Sequence, residues 1–152
     1  MRKWCPLGLL LLLLVGCGPK NQAGEGGREA VIDGKGTMEW IADLKSGDDV
    51  TRKKAIRILS DKGKKDGTVR FDLLETVKGT NGDDKNMRIG AAEALGLIGW
   101  DADEAFPHLK VMLPKEQDDD VARAVAQAMA RIDEKEAAKL GIHTSSVNPK
   151  KK

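Results

Sequence analysis

Three acidic clusters are the first candidates for chemistry, because grouped carboxylates can hold a hard cation such as Ca²⁺. They lie at residues 48–49, 83–84 and 118–120. None of them has the alternating Asp-x-Asp-x-Asp-Gly loop followed by a distal Glu that a calcium loop needs. Each cluster instead precedes an apolar stretch, where a carboxylate caps the free N–H groups of a helix and complements the helix dipole. We therefore predict helix caps here and no metal site.

Nucleophiles and general bases are scarce in this chain. His108 and His143 are its two imidazoles, and neither has Cys or carboxylate neighbours at the spacing of metal ligands. The sequence contains no Ser-His-Asp grouping and no phosphate-binding Gly loop followed by Lys-Ser or Lys-Thr. It also has no pair of acids in an evident pocket. We predict no catalytic residues and no cofactor, and hence a protein that is not an enzyme.

Residues 1–16 have the pattern of an export signal. Arg2 and Lys3 precede an almost pure Leu run at residues 7–15. That run is too short to span a bilayer, which takes about 20 apolar residues, and its charged flank is typical of a secretory signal peptide. The sequence Leu-Val-Gly-Cys at residues 14–17 resembles the lipobox of bacterial lipoproteins, in which the Cys is acylated and becomes the mature N-terminus. The alternative is a plain secretion signal in which Cys17 is incidental.

The lipobox resemblance also implies a location in the bacterial cell envelope. Several acyl chains, at about 0.8 kcal/mol per buried methylene, hold a protein stably on a membrane. The residue after Cys17 is Gly18 rather than Asp, which by resemblance to enterobacterial sorting favours the outer membrane, facing the periplasm. Cys5 is removed with the signal, so no disulfide is expected within the mature chain.

The remaining chain divides by composition into three parts. Residues 17–36 are rich in Gly, Lys and Glu, which predicts a flexible tether. Residues 37–141 carry helical periodicity, and residues 142–152 are expected to be a disordered basic tail. Within the helical part we predict an N-cap at Thr37, a short turn at residues 100–103 and a helix over residues 104–113 that ends at Pro114.

Three stretches of the helical part repeat one another. Placing Arg52, Arg88 and Ala122 at one shared position puts the three in register, at intervals of 36 and 34 residues, the size of a two-helix repeat. The positions three, seven and eight residues further on are small or apolar in all three copies: Ala55, Ala91 and Val125; Leu59, Leu95 and Met129; Ser60, Gly96 and Ala130. The middle copy, MRIGAAEALGLIG at residues 87–99, has so many small residues that we expect neighbouring helices to pack closely against it on two sides.

The middle copy resembles the inner helix of HEAT-type repeats, specifically the short bacterial kind called PBS-lyase-like, which reads roughly V-R-x-x-A-A-x-A-L-G-x-I-G. The segment AFPHLKVML at residues 105–113, with Pro107 early in the preceding outer helix, is similar to the same family. The resemblance covers about residues 37–141. It implies an all-α fold, a short right-handed α-solenoid of about three HEAT-like helical hairpins whose inner helices line a concave face.

The solvent-facing positions of the inner helices are the candidate binding residues. Four residues of each helix, one, two, five and nine positions beyond the shared position, are expected to face out. Gly90 and Ala124 belong to this set, as does Asp61. The partner-binding candidates on the concave face are Lys53, Lys54, Arg57, Ile89, Glu93, Leu97, Arg123, Gln127 and Arg131.

A structural role is predicted for the arginines at the shared position. Arg52 and Arg88 are expected to pair with acids on a neighbouring unit, which would form an internal ladder with Asp49, Asp84 and Asp119. Trp40 and Trp100 are read as core or hinge packing rather than as a ligand cage. All of these residues then serve the fold.

The overall charge excludes one class of partner. The formal net charge is +2, and Arg2 and Lys3 leave with the signal, so the mature chain is nearly neutral. That argues against a general nucleic-acid binder. We expect a monomer that binds an envelope protein or peptide carrying acidic groups beside an apolar anchor. Two alternatives remain: an enzyme or enzyme partner like the phycobilin lyases, and a structural envelope spacer whose Lys150 to Lys152 contact anionic polymer.

Overall fold

The computed structural model describes residues 31–143. The predicted signal peptide, Cys17 and the predicted basic tail, apart from its first two residues, lie outside the described residues. Within that range the backbone is helical apart from turns and one isolated bridge between Ile32 and Lys35. Two 3₁₀ segments, Gly99–Ala105 and Leu113–Lys115, flank the fifth helix. The α-helices are α1 (Thr37–Asp43), α2 (Asp49–Gly63), α3 (Gly67–Lys78), α4 (Lys85–Ile98), α5 (Phe106–Met112), α6 (Asp119–Ile132) and α7 (Glu134–Lys139).

The helices alternate between two layers. The inner helices α2, α4 and α6 lie side by side, with α4 packed against α2 on one side and α6 on the other. The outer helices α1, α3 and α5 each pack against the inner helix that follows them in the chain. The three matched segments are therefore spatial neighbours, and the predicted all-α solenoid of helical hairpins is confirmed.

Equivalent positions of the three inner helices form the core. The residues three positions beyond the shared one, Ala55, Ala91 and Val125, are completely buried. The residues seven positions beyond it, Leu59, Leu95 and Met129, are also completely buried. A single apolar cluster runs through all three hairpins, because a hairpin of this kind buries its apolar side only by stacking on its neighbours.

Each inner helix is capped at its N-terminus by an aspartate from one of the three acidic clusters. The Asp48 carboxylate accepts hydrogen bonds from the backbone N–H groups of Val50 and Thr51, at 3.3 and 2.9 Å. The Asp84 carboxylate accepts from Met87 at 3.0 Å, and Asp118 caps α6 in the same way. These carboxylates satisfy N–H groups that a helix leaves free at its start.

The small residues of α4 allow close helix contacts on both sides, as predicted. A Cβ atom added at Gly90 would lie 3.0 Å from Leu44 of the first hairpin, and one at Gly96 would lie 3.1 Å from the Cα of Ala128 on α6. The second contact is with backbone. Any side chain at Gly96 would therefore push α6 away from α4.

Several predicted boundaries were wrong. The N-cap of α1 is Gly36, whose N–H donates to Glu39 at 2.8 Å, and Thr37 is the buried first residue of the helix. The chain from Gly99 to Ala105 is a 3₁₀ helix rather than a short turn, and α5 begins only at Phe106. The reason is that Gly99, at φ 72°, ends α4, and the chain winds more tightly until Pro107 sets the geometry of a new helix start.

The C-terminal end of the described range is closed by α7. This short helix packs on α6 and buries Ala137 completely. It occupies the place where a fourth hairpin would begin and covers the end of α6, as a terminal cap does. Among the helices of residues 31–143, none is long and apolar enough to cross a membrane.

Candidate interaction surface

The candidate binding residues lie at solvent-facing positions of the inner helices. On the first of these helices, α2, Lys53, Lys54 and Arg57 are exposed. On α4, Leu97 is 47% exposed, a high value for a leucine, while Ile89 and Glu93 are half-buried. On α6, Arg123 and Arg131 are exposed and Gln127 is half-buried. We call this set the inner-helix face.

Two residues expected on this face are buried instead. Gly90 lies against Leu44, and Ala124 is only 7% exposed. The contact with Leu44 shows that the second position beyond the shared one faces the preceding hairpin. Lys54 holds the same position on α2, where no hairpin precedes it, and it is therefore exposed.

Glu93 lies at the centre of the inner-helix face. Burial raises the pKa of its carboxyl group, and the charges of Arg131, Arg52 and Lys53 oppose that rise. Arg52 and Lys53 come from α2 and Arg131 from α6, so cations of both flanking helices converge on the middle helix. The face therefore combines a partly desolvated acid, surrounding basic groups and the exposed side chain of Leu97.

Arg88 reaches the neighbouring hairpin, although its partner is not one of the predicted aspartates. Its guanidinium pairs with Glu116, and its Nε–H donates to the carbonyl of Val77 at 2.9 Å. The Glu116 carboxylate also accepts the backbone N–H groups of Gln117 and Asp118, at 3.0 and 3.1 Å. The hydrogen bond from Arg88 is the main reason that the pKa of Glu116 is lowered.

The rest of the predicted ladder is wrong. Arg52 pairs with Asp49 one turn earlier in its own helix and donates to the carbonyl of Ser46 at 2.9 Å, so it makes no ladder contact with another hairpin. Asp84 serves as the cap of α4. Asp119 is exposed at the first position of α6, while its neighbours Asp118 and Asp120 make the contacts. The first turn of a helix points each of three consecutive side chains in a different direction, so the sequence alone does not identify which aspartate makes the contact.

Other ion pairs connect the hairpins through cations that the sequence did not indicate. Lys85 lies 3.2 Å from Asp118 and 2.5 Å from Asp120, and these contacts, led by the hydrogen bond that Lys85 donates to Asp120, raise its pKa. Two further pairs join successive hairpins: Lys45 with Asp84 at 3.7 Å, and Arg70 with Glu104. The spacing of 34 residues between Arg70 and Glu104 matches the repeat period, which is the signal that could have pointed to it.

His108 lies on the outer layer, and Trp100 is not buried as predicted. His108 lines an open groove of about 430 Å³ on the outer layer, beside Pro107 and Val111 of α5 and Lys78 of α3. Among residues 31–143 no three His, Cys, Asp or Glu side chains come together as metal ligands would. Trp100 was predicted to pack in the core or a hinge, but it is 77% exposed, because the chain turns at Gly99 and the next side chain points into solvent.

Residues 31–36, which lead into α1, form a turn closed by the bridge between Ile32 and Lys35, which differs from the flexible tether predicted over them. We call these residues the N-terminal turn. Asp33 lies 2.9 Å from the Nζ of Lys54, and Lys35 lies 2.5 Å from Asp43. The same two lysines lie over the ring of Trp40, at 4.9 Å for Lys35 and 5.6 Å for Lys54, within the range of cation–π attraction.

Comparisons with known proteins agree with this architecture. A sequence model of HEAT repeats matches residues 37–130, which is most of the part of the chain described here. Neither the curated proteins nor the solved structures gave a match. The matched region contains α2, α4 and all but the last two residues of α6, and thus most of the stacked hairpins on which the inner-helix face is built. This chain belongs to the HEAT repeats family.

Proposed function

We propose that this protein is a non-enzymatic, lipid-anchored module of the bacterial envelope that binds a protein partner through the α4 and α6 residues of its inner-helix face. HEAT repeats commonly serve protein–protein interaction, which supports the general part of the proposal. The finer part, anchoring through acylated Cys17 at the outer membrane, facing the periplasm, is supported by the sequence of the export signal alone.

The observation that carries the proposal is the arrangement around Leu97. This side chain is 47% exposed on the middle helix, and the exposed arginines of α6 lie on the helix packed against it. An apolar anchor with charged groups around it is the usual organisation of a binding hot spot and its rim. A partner that inserts an apolar side chain against Leu97 and places carboxylates beside Arg123 and Arg131 fits this surface.

Site-specific crosslinking tests where the partner binds. A photoreactive amino acid at Leu97 should form a discrete adduct with one envelope protein when membranes carrying the lipidated chain are irradiated. The matched control is the same amino acid at Val111, which is 62% exposed on the outer helix α5. Equal adducts from the two positions would contradict binding through the inner-helix face.

Charge reversal tests the chemistry of the partner. Arg123→Glu combined with Arg131→Glu should abolish the adduct formed at Leu97, because the partner's carboxylates would then meet like charges. Lys110→Glu with Lys115→Glu, exposed lysines outside the inner layer, gives the same charge change and should leave the adduct intact. An adduct that survives reversal at α6 would show that the partner is not acidic there.

Mass spectrometry of the mature protein tests the anchor separately. We expect a chain that begins at Cys17 and carries acyl groups. A cytosolic chain that retains Met1 would contradict envelope anchoring and favour the lyase-like alternative.

A further inference from the structure

The charges of the described chain are segregated along the sequence. Residues 52–65 contain seven Lys or Arg and one acid, Asp61. The remaining described residues, 31–51 and 66–143, contain 12 Lys or Arg and 21 Asp or Glu. Residues 52–65 therefore carry a net charge of +6, whereas the other described residues carry a net charge of −9.

Three of the five cations of α2, Lys53, Lys54 and Arg57, share one side of the helix with an exposed valine and with Asp61. Arg52 points elsewhere, and Lys62 is buried. At 100° per residue, positions 50, 53, 54, 57 and 61 fall within about a third of the circumference, and Ala55, Leu59 and Gly63, on the other side, are buried. Val50 is 75% exposed. The surface that results, the α2 basic face, consists of Val50, Lys53, Lys54, Arg57, Lys64 and Lys65.

The acids near this face are too few and too exposed to neutralise it. Lys54 pairs with Asp33, and Lys53 and Lys64 lie 4.0 and 3.8 Å from Asp49 and Asp61. Ion pairs between exposed side chains contribute little and are readily exchanged for other counter-charges. The lysines of the face thus remain able to bind an external anionic surface.

The position of α2 brings this face close to the point where the chain leaves the domain. The N-terminal turn lies against α2 through the contact between Asp33 and Lys54. Only 14 residue steps separate Val31 from Cys17 along the chain, and that length of chain reaches at most about 50 Å. If Cys17 carries the acyl chains, the α2 basic face is the charged surface of the domain that is tethered nearest to the bilayer.

We propose that the α2 basic face docks on the anionic lipid headgroups of the membrane to which the protein is anchored. A row of Lys and Arg on one helix face is attracted to anionic headgroups over roughly a Debye length, about 8 Å at physiological salt. The acidic remainder of the domain is repelled by the same surface, so docking also orients the domain with α7 pointing away. The choice of a bilayer, rather than another polyanion, rests on the proposed anchor.

Solubility alone does not account for this pattern. The terminal hairpins of a solenoid need polar outer surfaces, but a mixture of both signs meets that need. At the opposite end, residues 133–139 contain Asp133, Glu134 and Glu136 with Lys135 and Lys139. Of the two ends of the solenoid formed by residues 31–143, the end at α2 carries the one-sided positive surface.

When the α2 basic face docks on the membrane, the predicted binding residues are divided between two ligands, the lipid headgroups and the protein partner. Lys53, Lys54 and Arg57 contact headgroups, and the residues of α4 and α6 remain available to the protein partner. A reversal of charge on α2 should then change the orientation of the domain without changing the adduct formed at Leu97.

The experiment compares two fluorescent probes on the lipidated full-length mature protein. One variant carries a probe at Val50→Cys on α2, and a second carries it at Glu134→Cys on α7. Each labelled protein is bound to vesicles of phosphatidylcholine alone or of phosphatidylcholine mixed with phosphatidylglycerol. A quencher is attached to the outer headgroups. We expect quenching of the α2 probe to exceed that of the α7 probe several-fold on the anionic vesicles. The difference should be lost on phosphatidylcholine alone and at molar salt.

Matched charge reversals decide the outcome. Lys53→Glu with Arg57→Glu should abolish the difference between the probes, whereas Lys135→Glu with Lys139→Glu, the same change at the same spacing on α7, should preserve it. Equal quenching of both probes on anionic vesicles would overturn the proposal. The proposal would also be overturned if charge reversal on α2 abolished the Leu97 adduct but left the difference in quenching between the two probes unchanged, because α2 would then bind the protein partner. Failure of the anchor itself is seen independently, in the mass of the mature N-terminus.

Discussion

The guanidinium of Arg88 lies among groups from three elements. It belongs to α4, donates to the carbonyl of Val77 near the end of α3, and pairs with Glu116 in the turn before α6. Both side chains of the pair are largely buried, with 18% of Arg88 and 7% of Glu116 exposed. Arg52, at the equivalent position of the first hairpin, contacts only its own helix and the turn before it. The same residue type at the same repeat position therefore contributes differently to stability.

Replacing Arg88 by Met should lower the free energy of unfolding by about 2 kcal/mol, because charged hydrogen bonds to a largely buried carboxylate are lost. Arg52→Met, the matched control, should cost about 0.5 kcal/mol, as expected for an exposed pair. Urea denaturation measures both. A cost for Arg52→Met equal to that for Arg88→Met would contradict the difference in their roles.

The cost of Arg88→Met should also depend on pH. The folded state lowers the pKa of Glu116 below its ordinary value of 4.5, so the stabilisation is fully present above pH 4.5. It is lost as the pH falls through the lower pKa of the folded state. The unfolding curves of Arg88→Met and the unchanged protein should therefore converge in strong acid.

At the scale of elements, the distinctive feature of α4 is that two of its interior residues have no side chain. Gly90 and Gly96 leave room for Leu44 on one side and for the backbone of Ala128 on the other. A glycine inside a helix ordinarily costs about 1 kcal/mol relative to alanine. At position 96 we expect glycine to be more stable than alanine, because α6 approaches this position closely.

Gly96→Ala should destabilise the protein by about 1–3 kcal/mol, since the added Cβ would lie 3.1 Å from backbone that cannot rotate away. Gly47→Ala is the control, because a Cβ there meets nothing within 4 Å and its effect should be close to zero. The midpoint of thermal unfolding reports both. A Gly96→Ala variant as stable as the unchanged protein would show that the two helices can separate freely.

The inner helices could be predicted because the residues that determine each helix are close together in the sequence. The shared positions, the small residues and the capping aspartates all lie within a single segment, and the middle copy, predicted over residues 87–99, agrees with α4 (Lys85–Ile98) to within two residues. The N-terminal turn and the pair of Lys85 with Asp120 could not be predicted, because they depend on how successive hairpins are placed. Of the candidate face, the exposed cations were predicted, whereas the burial of Gly90 depends on a leucine from another hairpin.

On the scale of the whole molecule, protection from solvent falls from the middle of the stack to its ends. The middle helix α4 is covered by α2, α3 and α6, whereas α1 and α7 are short and lie at the two ends. Local unfolding requires the least free energy where few neighbours must be given up. The ends of the stack should therefore open before its centre.

Hydrogen exchange followed by mass spectrometry tests this order. Amides of α4 should exchange slowest and those of α1 and α7 fastest, with α2 and α6 between them, because each terminal hairpin has only one neighbour. Exchange in which all seven helices lose protection at one common rate would show instead that the domain opens only as a single unit.

Equivalent buried positions form both helix–helix contacts of the inner layer, the one between α2 and α4 and the one between α4 and α6. An additional copy of the middle hairpin would therefore meet compatible surfaces before and after it. Each such duplication adds one folding unit together with one new contact area, as in other one-dimensional arrays. The number of hairpins is thus a variable that gene duplication, or a protein engineer, can change without redesigning how they fit together.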